Sequence, residues 1–176
     1  MGRESGTREK RGRSMTGFAT SRSPALADRG ALSFTAYGVP APQGSTRAFM
    51  RPGMKHPVVT ADCKRTKPWR QAIVDASREV MAGRAPLEGP VEVRVVFYLP
   101  RPKSAPKRIT EPAKLPDLDK LIRALFDALT AAGVWRDDAQ VVSVLASKAF
   151  AGGRHDDDED GPGVPRAHIT VEAAEP

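Results

Sequence analysis

Between Leu118 and Ala132 apolar residues return at helical intervals, at Leu118, Leu121, Ile122, Leu125, Leu129 and Ala132, and Gly133 then supplies a C-terminal stop. One face of that helix has to be core. Upstream, Val91, Val93, Val95, Phe97 and Leu99 alternate with Glu92, Arg94, Val96 and Tyr98, the period-two pattern of a half-buried strand. These two segments require a domain that combines a helix layer with a sheet.

The remaining elements are read around that pair. Leu32 to Tyr37 alternates well enough for a first strand, and Gly38 to Gly44 then breaks regular structure. His56 to Thr60 reads as a short second strand. Pro68 suits the first turn of a helix, and Trp69, Ile73, Ala76, Val80 and Met81 follow helical spacing towards Gly83. The segment Pro100 to Arg108 carries three prolines within seven residues, which excludes both helix and sheet interior and predicts an exposed basic loop. After the turn-like pair Asp137-Asp138, Gln140 to Lys148 reads as a valine-rich strand, and His168 to Glu172 as a strand expected to pair with it. The acidic run His155 to Asp160 between them is expected to be a solvated hairpin loop. The expectation is an α+β single domain spanning 31–176, with a mixed β-sheet of about five strands and two main helices. Residues 1–30, rich in Gly, Ser, Arg and Thr and without periodicity, are expected to form a disordered basic tail.

Charge narrows the partner. The formal net charge is +7 with a pI near 9.9, pointing towards a polyanion. Its distribution is uneven: Arg47 to Arg70 holds seven Lys/Arg against Asp62 alone, and Arg101 to Lys114 holds five against Glu111 alone. Such patches neutralise phosphates and release counterions, giving affinity that does not depend on base sequence. A single cysteine, Cys63, forbids an intramolecular disulfide, and the three histidines His56, His155 and His168 offer no zinc-ligand spacing. No apolar stretch approaches the ~20 residues of a membrane span, so a cytoplasmic protein with no membrane partner is expected.

Chemistry is concentrated in Leu115-Pro-Asp117-Leu-Asp119-Lys-Leu-Ile-Arg123, followed fifteen residues later by Asp138. Pro116 biases Leu115 to extended backbone, placing Asp117 where loop becomes helix. Two readings meet there. In one, Asp117 caps the helix, Asp119 complements its dipole, and Arg123 makes an ordinary i, i+4 pair with Asp119 or Asp127. In the other, carboxylates at i and i+2 on a half-extended segment converge on a hard cation, Arg123 adds positive charge, and Asp138 completes the cluster from the next strand. Three carboxylates together repel one another unless a divalent ion neutralises them.

The stretch Asp117-Leu-Asp119-Lys-Leu, then Ala124-Leu-Phe126-Asp-Ala-Leu-Thr130, Ala132-Gly133-Val-Trp135 and Asp137-Asp138-Ala-Gln-Val-Val142 resembles the RusA family of Holliday junction resolvases. The resemblance is dense from about Pro116 to Lys148. It implies a homodimeric endonuclease acting on four-way or branched DNA with Mg²⁺ or Mn²⁺, with Asp117, Asp119 and Asp138 as catalytic, metal-holding residues. The family's catalytic lysine falls on Arg123, a departure: arginine keeps the positive charge but, with a pKa above ~12, is a poor proton donor. Lys120 and Lys148 are the candidates to replace it. Together with Arg101, Lys103, Lys107 and Arg108 of the proline loop, they make up the expected DNA-binding set. The restriction-type PD...D/E-x-K motif is rejected, since it spreads over successive strands, whereas Asp117 and Asp119 are two residues apart. Two alternatives remain: an inactive branched-DNA-binding relative, and a nucleotide phosphohydrolase, which no Gly-rich phosphate loop supports.

Overall fold

The structure, a computed structural model, describes residues 31–44, 46–49, 53, 58–61, 64–154, 156 and 163–174. The predicted tail 1–30 and His56 lie outside these. Six strands and two α-helices follow one another as β1 (Leu32–Tyr37), β2 (Thr46–Phe49), β3 (Val58–Ala61), α1 (Thr66–Met81), β4 (Val91–Leu99), α2 (Leu118–Ala132), β5 (Val141–Phe150) and β6 (Arg166–Ala173). A short 3-10 turn, Asp138–Gln140, precedes β5. The expected sheet of about five strands divides into two: a four-stranded mixed sheet in the order β1-β6-β4-β5, and a separate β2-β3 ribbon. Sequence reading missed β2, whose four residues Thr46-Arg-Ala-Phe49 carry no usable pattern.

The apolar stripes meet as their periods require. Val91, Val93, Val95 and Phe97 of β4 share one core with Leu121, Ala124, Leu125, Ala128 and Leu129 of α2, and with Trp69 and Ile73 of α1. Burying a side chain of this size stabilises by roughly 1.5–3 kcal/mol, so the two segments with the plainest periodicity anchor the fold. At the end of α2, Gly133 takes φ 80°, and its N–H reaches the carbonyls of Leu129 and Thr130. Trp135 then folds back under the helix: its Nε1 donates to Thr130 Oγ1 at 2.7 Å, and its ring meets Phe126 edge-on at 5.7 Å. Much of the family-like motif between the aspartates therefore serves packing.

Two expectations are corrected. β6 pairs antiparallel with β1 and β4, and β5 instead runs parallel to β4, so β5 and β6 are not a hairpin. The cause is the connection: a strand, a helix and a strand in succession form a crossover unit, which places its strands parallel. Nor is the acidic loop wholly solvated. Asp156 is enclosed, its side chain 0% exposed, and pairs with the equally enclosed Arg166. Arg166 also lies over the Tyr98 ring at 4.2 Å and donates to Val164 O at 3.0 Å. The backbone N–H groups of Gly152 and Gly163 donate to the same carboxylate. Position 155 and positions 157–160 lie outside the described residues.

Burial alone would push the Asp156 carboxyl up, but Arg166 and the two N–H donors outweigh it and bring it down to about 2. A depressed carboxyl contributes stability above its ordinary value near 3.8 that disappears as pH falls through about 2. Asp156→Ala removes the carboxylate that faces the buried Arg166 charge, and an unfolding titration should register a loss of about 3–5 kcal/mol. A change below about 0.5 kcal/mol would reduce the pair to a surface contact.

Candidate active site

Asp117 is the N-cap residue of α2 and has extended backbone (φ −69°, ψ 139°), the usual conformation of a helix N-cap. Its carboxylate accepts no capping hydrogen bond. It faces Lys120 Nζ instead, at 3.0 Å. The purely structural reading of Asp117 as a cap is therefore not realised. Asp119 stands exposed in the first turn of α2. Arg123 is exposed one turn further on, and among the described residues it pairs with neither Asp119 nor Asp127, because Asp127 faces Arg70 of α1 at 3.7 Å.

The segment leading into Asp117 is fixed by Lys148, whose Nζ donates to Pro116 O at 2.9 Å and to Lys114 O at 3.2 Å. From the other side the backbone N–H of Gln43 donates to Lys120 O at 3.0 Å, docking the loop after β1 on the first turn of α2. Lys148 is thus spent on carbonyls, while Lys120 stands at the carboxylate. In the proline loop, Arg101 donates to Pro106 O at 2.9 Å and lies 5.1 Å from the Phe150 ring centre, bracing the loop. Lys103, Lys107 and Arg108 are exposed on it.

Asp138 is elsewhere. It opens the 3-10 turn before β5, exposed, while Asp137 caps that turn in a reciprocal box with Gln140. Strand β5 does not begin until Val141, so the expectation that Asp138 starts a strand is off by three residues. The seven steps from Val141 to Lys148 span about 23 Å of strand, and α2, at 15 residues, about 22 Å of helix. Because β5 runs back alongside α2, Asp138 lies roughly that far from Asp117 and Asp119 within one chain. Consistent with this, among the described residues no three His, Cys, Asp or Glu side chains gather as a metal-holding group. Sequence spacing suggested one cluster, whereas the crossover separates its members.

An α+β domain exposing carboxylates at a helix start beside a braced basic loop has the surface of an enzyme that works on polyanions. The chain belongs to the RusA endodeoxyribonuclease family, whose sequence model matches residues 39–172. It is 31% identical over 130 residues to the uncharacterized protein YqaN of Bacillus subtilis (strain 168), covering 68% of this chain and 88% of that one. It is also 40% identical over 67 residues to the crossover junction endodeoxyribonuclease RusA of Escherichia coli (strain K12), and equally to that of Enterobacteria phage 82. Those matches cover 37% of this chain and 47% of the resolvases, about half their length. Among the described residues no helix is long and apolar enough to cross a membrane.

Proposed function

We propose that the protein is a Mg²⁺- or Mn²⁺-dependent endodeoxyribonuclease that resolves four-way DNA junctions as a homodimer. The observation that carries this reading is Asp117: a helix-cap carboxylate relieved of capping, two residues from exposed Asp119 and beside the basic proline loop. The donor set suits the metal, since exposed carboxylate oxygens are what a hard divalent cation takes. Asp117, Asp119 and Asp138 would hold it, and when bound it supplies Lewis acidity towards the phosphate and an activated water. Water attacks phosphorus and the bond to the 3′-oxygen breaks. Arg123 would offset charge that builds on the phosphoryl oxygens, and Lys120, which faces the Asp117 carboxylate, would protonate the departing oxygen. Lys103, Lys107 and Arg108 hold neighbouring phosphates.

Three carboxylates split across about 20 Å need a second chain to meet. Strand β5 is the sheet's edge and exposes Val142 (63%), Val144 (40%) and Leu145 (69%). Edges so apolar invite pairing. Two copies pairing their β5 strands antiparallel about an axis near Val144 and Leu145 would bring Asp138 of each beside the end of β5 that braces Asp117 in the other. Closed two-fold dimers are also the commonest assembly, and a four-way junction needs two opposed nicks.

Incubation with labelled four-way junction, linear duplex and nucleoside triphosphate, with and without Mg²⁺, tests the reading; junction nicking that requires Mg²⁺ is expected. Binding without nicking would favour the inactive relative, and triphosphate hydrolysis the phosphohydrolase. Within the active protein, Arg123→Lys should be tolerated, whereas Arg123→Ala should lose on the order of 10² in single-turnover rate. An alanine variant as fast as wild type would leave Arg123 a surface charge.

A further inference from the structure

The chemistry above leaves unused a cavity that begins at Asp117. It encloses about 670 Å³ between the loop after β1 and the proline loop, within the roughly 300–1,000 Å³ range of small-ligand sites. Pro40, Pro102, Pro106, Leu99 and Phe150 form its walls, and prolines of fixed φ resist collapse. One lining group stands out. Gln43 Oε1 is buried and has no hydrogen-bond partner among the described residues, although the Gln43 backbone is tied to Lys120. A buried acceptor left unpaired is destabilising, so a donor from outside would recover that cost. Arg65, Lys114 and Lys120 add positive charge to a lining that also holds the carboxylates of Asp117 and Glu111.

We propose that this cavity receives one unstacked nucleobase of the DNA, next to the phosphate presented to Asp117 and Asp119. The base lies against the proline and Phe150 walls, an N–H of its Watson–Crick edge is donated to Gln43 Oε1 as that side chain turns towards it, and its phosphates meet Arg65 and Lys114. This rests on the endonuclease reading and adds base recognition to it. Everting a base is costly in duplex DNA and less so where stacking is already broken, so the cavity favours a branch point over linear DNA. Gln43 then weighs which base enters, through an acceptor that only a suitably placed donor satisfies.

The test uses the wild-type protein and four-way junctions carrying 2-aminopurine at each position flanking the branch point. Binding without divalent metal should raise emission at one position about threefold or more, as expected of an unstacked base. Ala105→Trp, which fills the cavity from its wall, should cancel that rise and slow cleavage of the intact junction by on the order of 30-fold, whereas a junction abasic at that position should be cut within about threefold of wild type. Gln43→Leu should flatten the preference among bases at that position by on the order of 10-fold. If no position brightens, or if Ala105→Trp cuts the intact junction at the wild-type rate, the cavity is not a base site, and wild-type cleavage keeps the nuclease reading intact. Conversion of Ala105→Trp to a monomer would assign the cavity to a second copy and overturn the proposal, and failure of the wild type to cut any junction would overturn both readings together. An unchanged base preference in Gln43→Leu would remove Gln43 from recognition even if Ala105→Trp misfolds.

Discussion

Asp117→Asn, Asp119→Asn and Asp138→Asn should each lower junction cleavage by on the order of 10³-fold while leaving junction binding at or above its wild-type strength. The amide keeps the shape of the side chain but loses the charge that holds a divalent cation. Removing a negative charge from a surface that meets phosphates reduces repulsion, so affinity should not fall. Stability should hardly change either: Asp119 and Asp138 are exposed, and Asp117 makes no capping bond whose loss could unravel α2. The measurements are single-turnover cleavage under saturating Mg²⁺, gel-shift affinity and thermal melting of the same preparations. A variant that cleaves near the wild-type rate would strike its residue from the metal set. One that loses several degrees of melting temperature would return it to the structural reading.

What could be read from the sequence follows from how local each cause is. Helix α2 and strand β4 were legible because their burial is written in their own periodicity, and Gly133 marked the helix end for a reason internal to one residue. The pairing of β6 was not legible from β6, whose neighbours β1 and β4 are chosen by the crossover through α2. That signal was available, since a strand, a helix and a strand in succession imply parallel strands. The reciprocal cap of Asp137 and Gln140 was likewise available in their three-residue spacing, which read only as a turn. Asp156 had no local signal at all: its burial depends on Arg166 ten residues on and Tyr98 in another strand. The same limit governs the site. Asp117, Asp119 and Arg123 share one helix start and could be placed by spacing, but whether Asp138 joins them is a question of strand direction.

Mixing Asp119→Asn with Asp138→Asn, each inactive alone, should restore nicking. If each site takes Asp117 and Asp119 from one protomer and Asp138 from its partner, a mixed dimer holds one site with both lesions and one with neither. Random pairing of equal amounts makes half the dimers mixed, each with one of two sites intact, so total nicking should recover to on the order of a quarter of wild type. Each intact site stands alone, and a supercoiled cruciform plasmid should yield open circles with little linear product. If all three carboxylates acted within one chain, both sites of the mixed dimer would carry a lesion and nothing would be restored. The comparison requires exchange of subunits, verified by native mass spectrometry of differently tagged chains after co-expression. Leu145→Lys supplies the complementary measurement, because a charge at this exposed edge position opposes strand pairing. It should shift the protein towards the mass of one 19.0 kDa chain and abolish cleavage although every aspartate is retained. Full cleavage by such a monomer, or verified mixed dimers without activity, would place Asp138 outside the partner's site and dissolve the link between the β5 edge and catalysis.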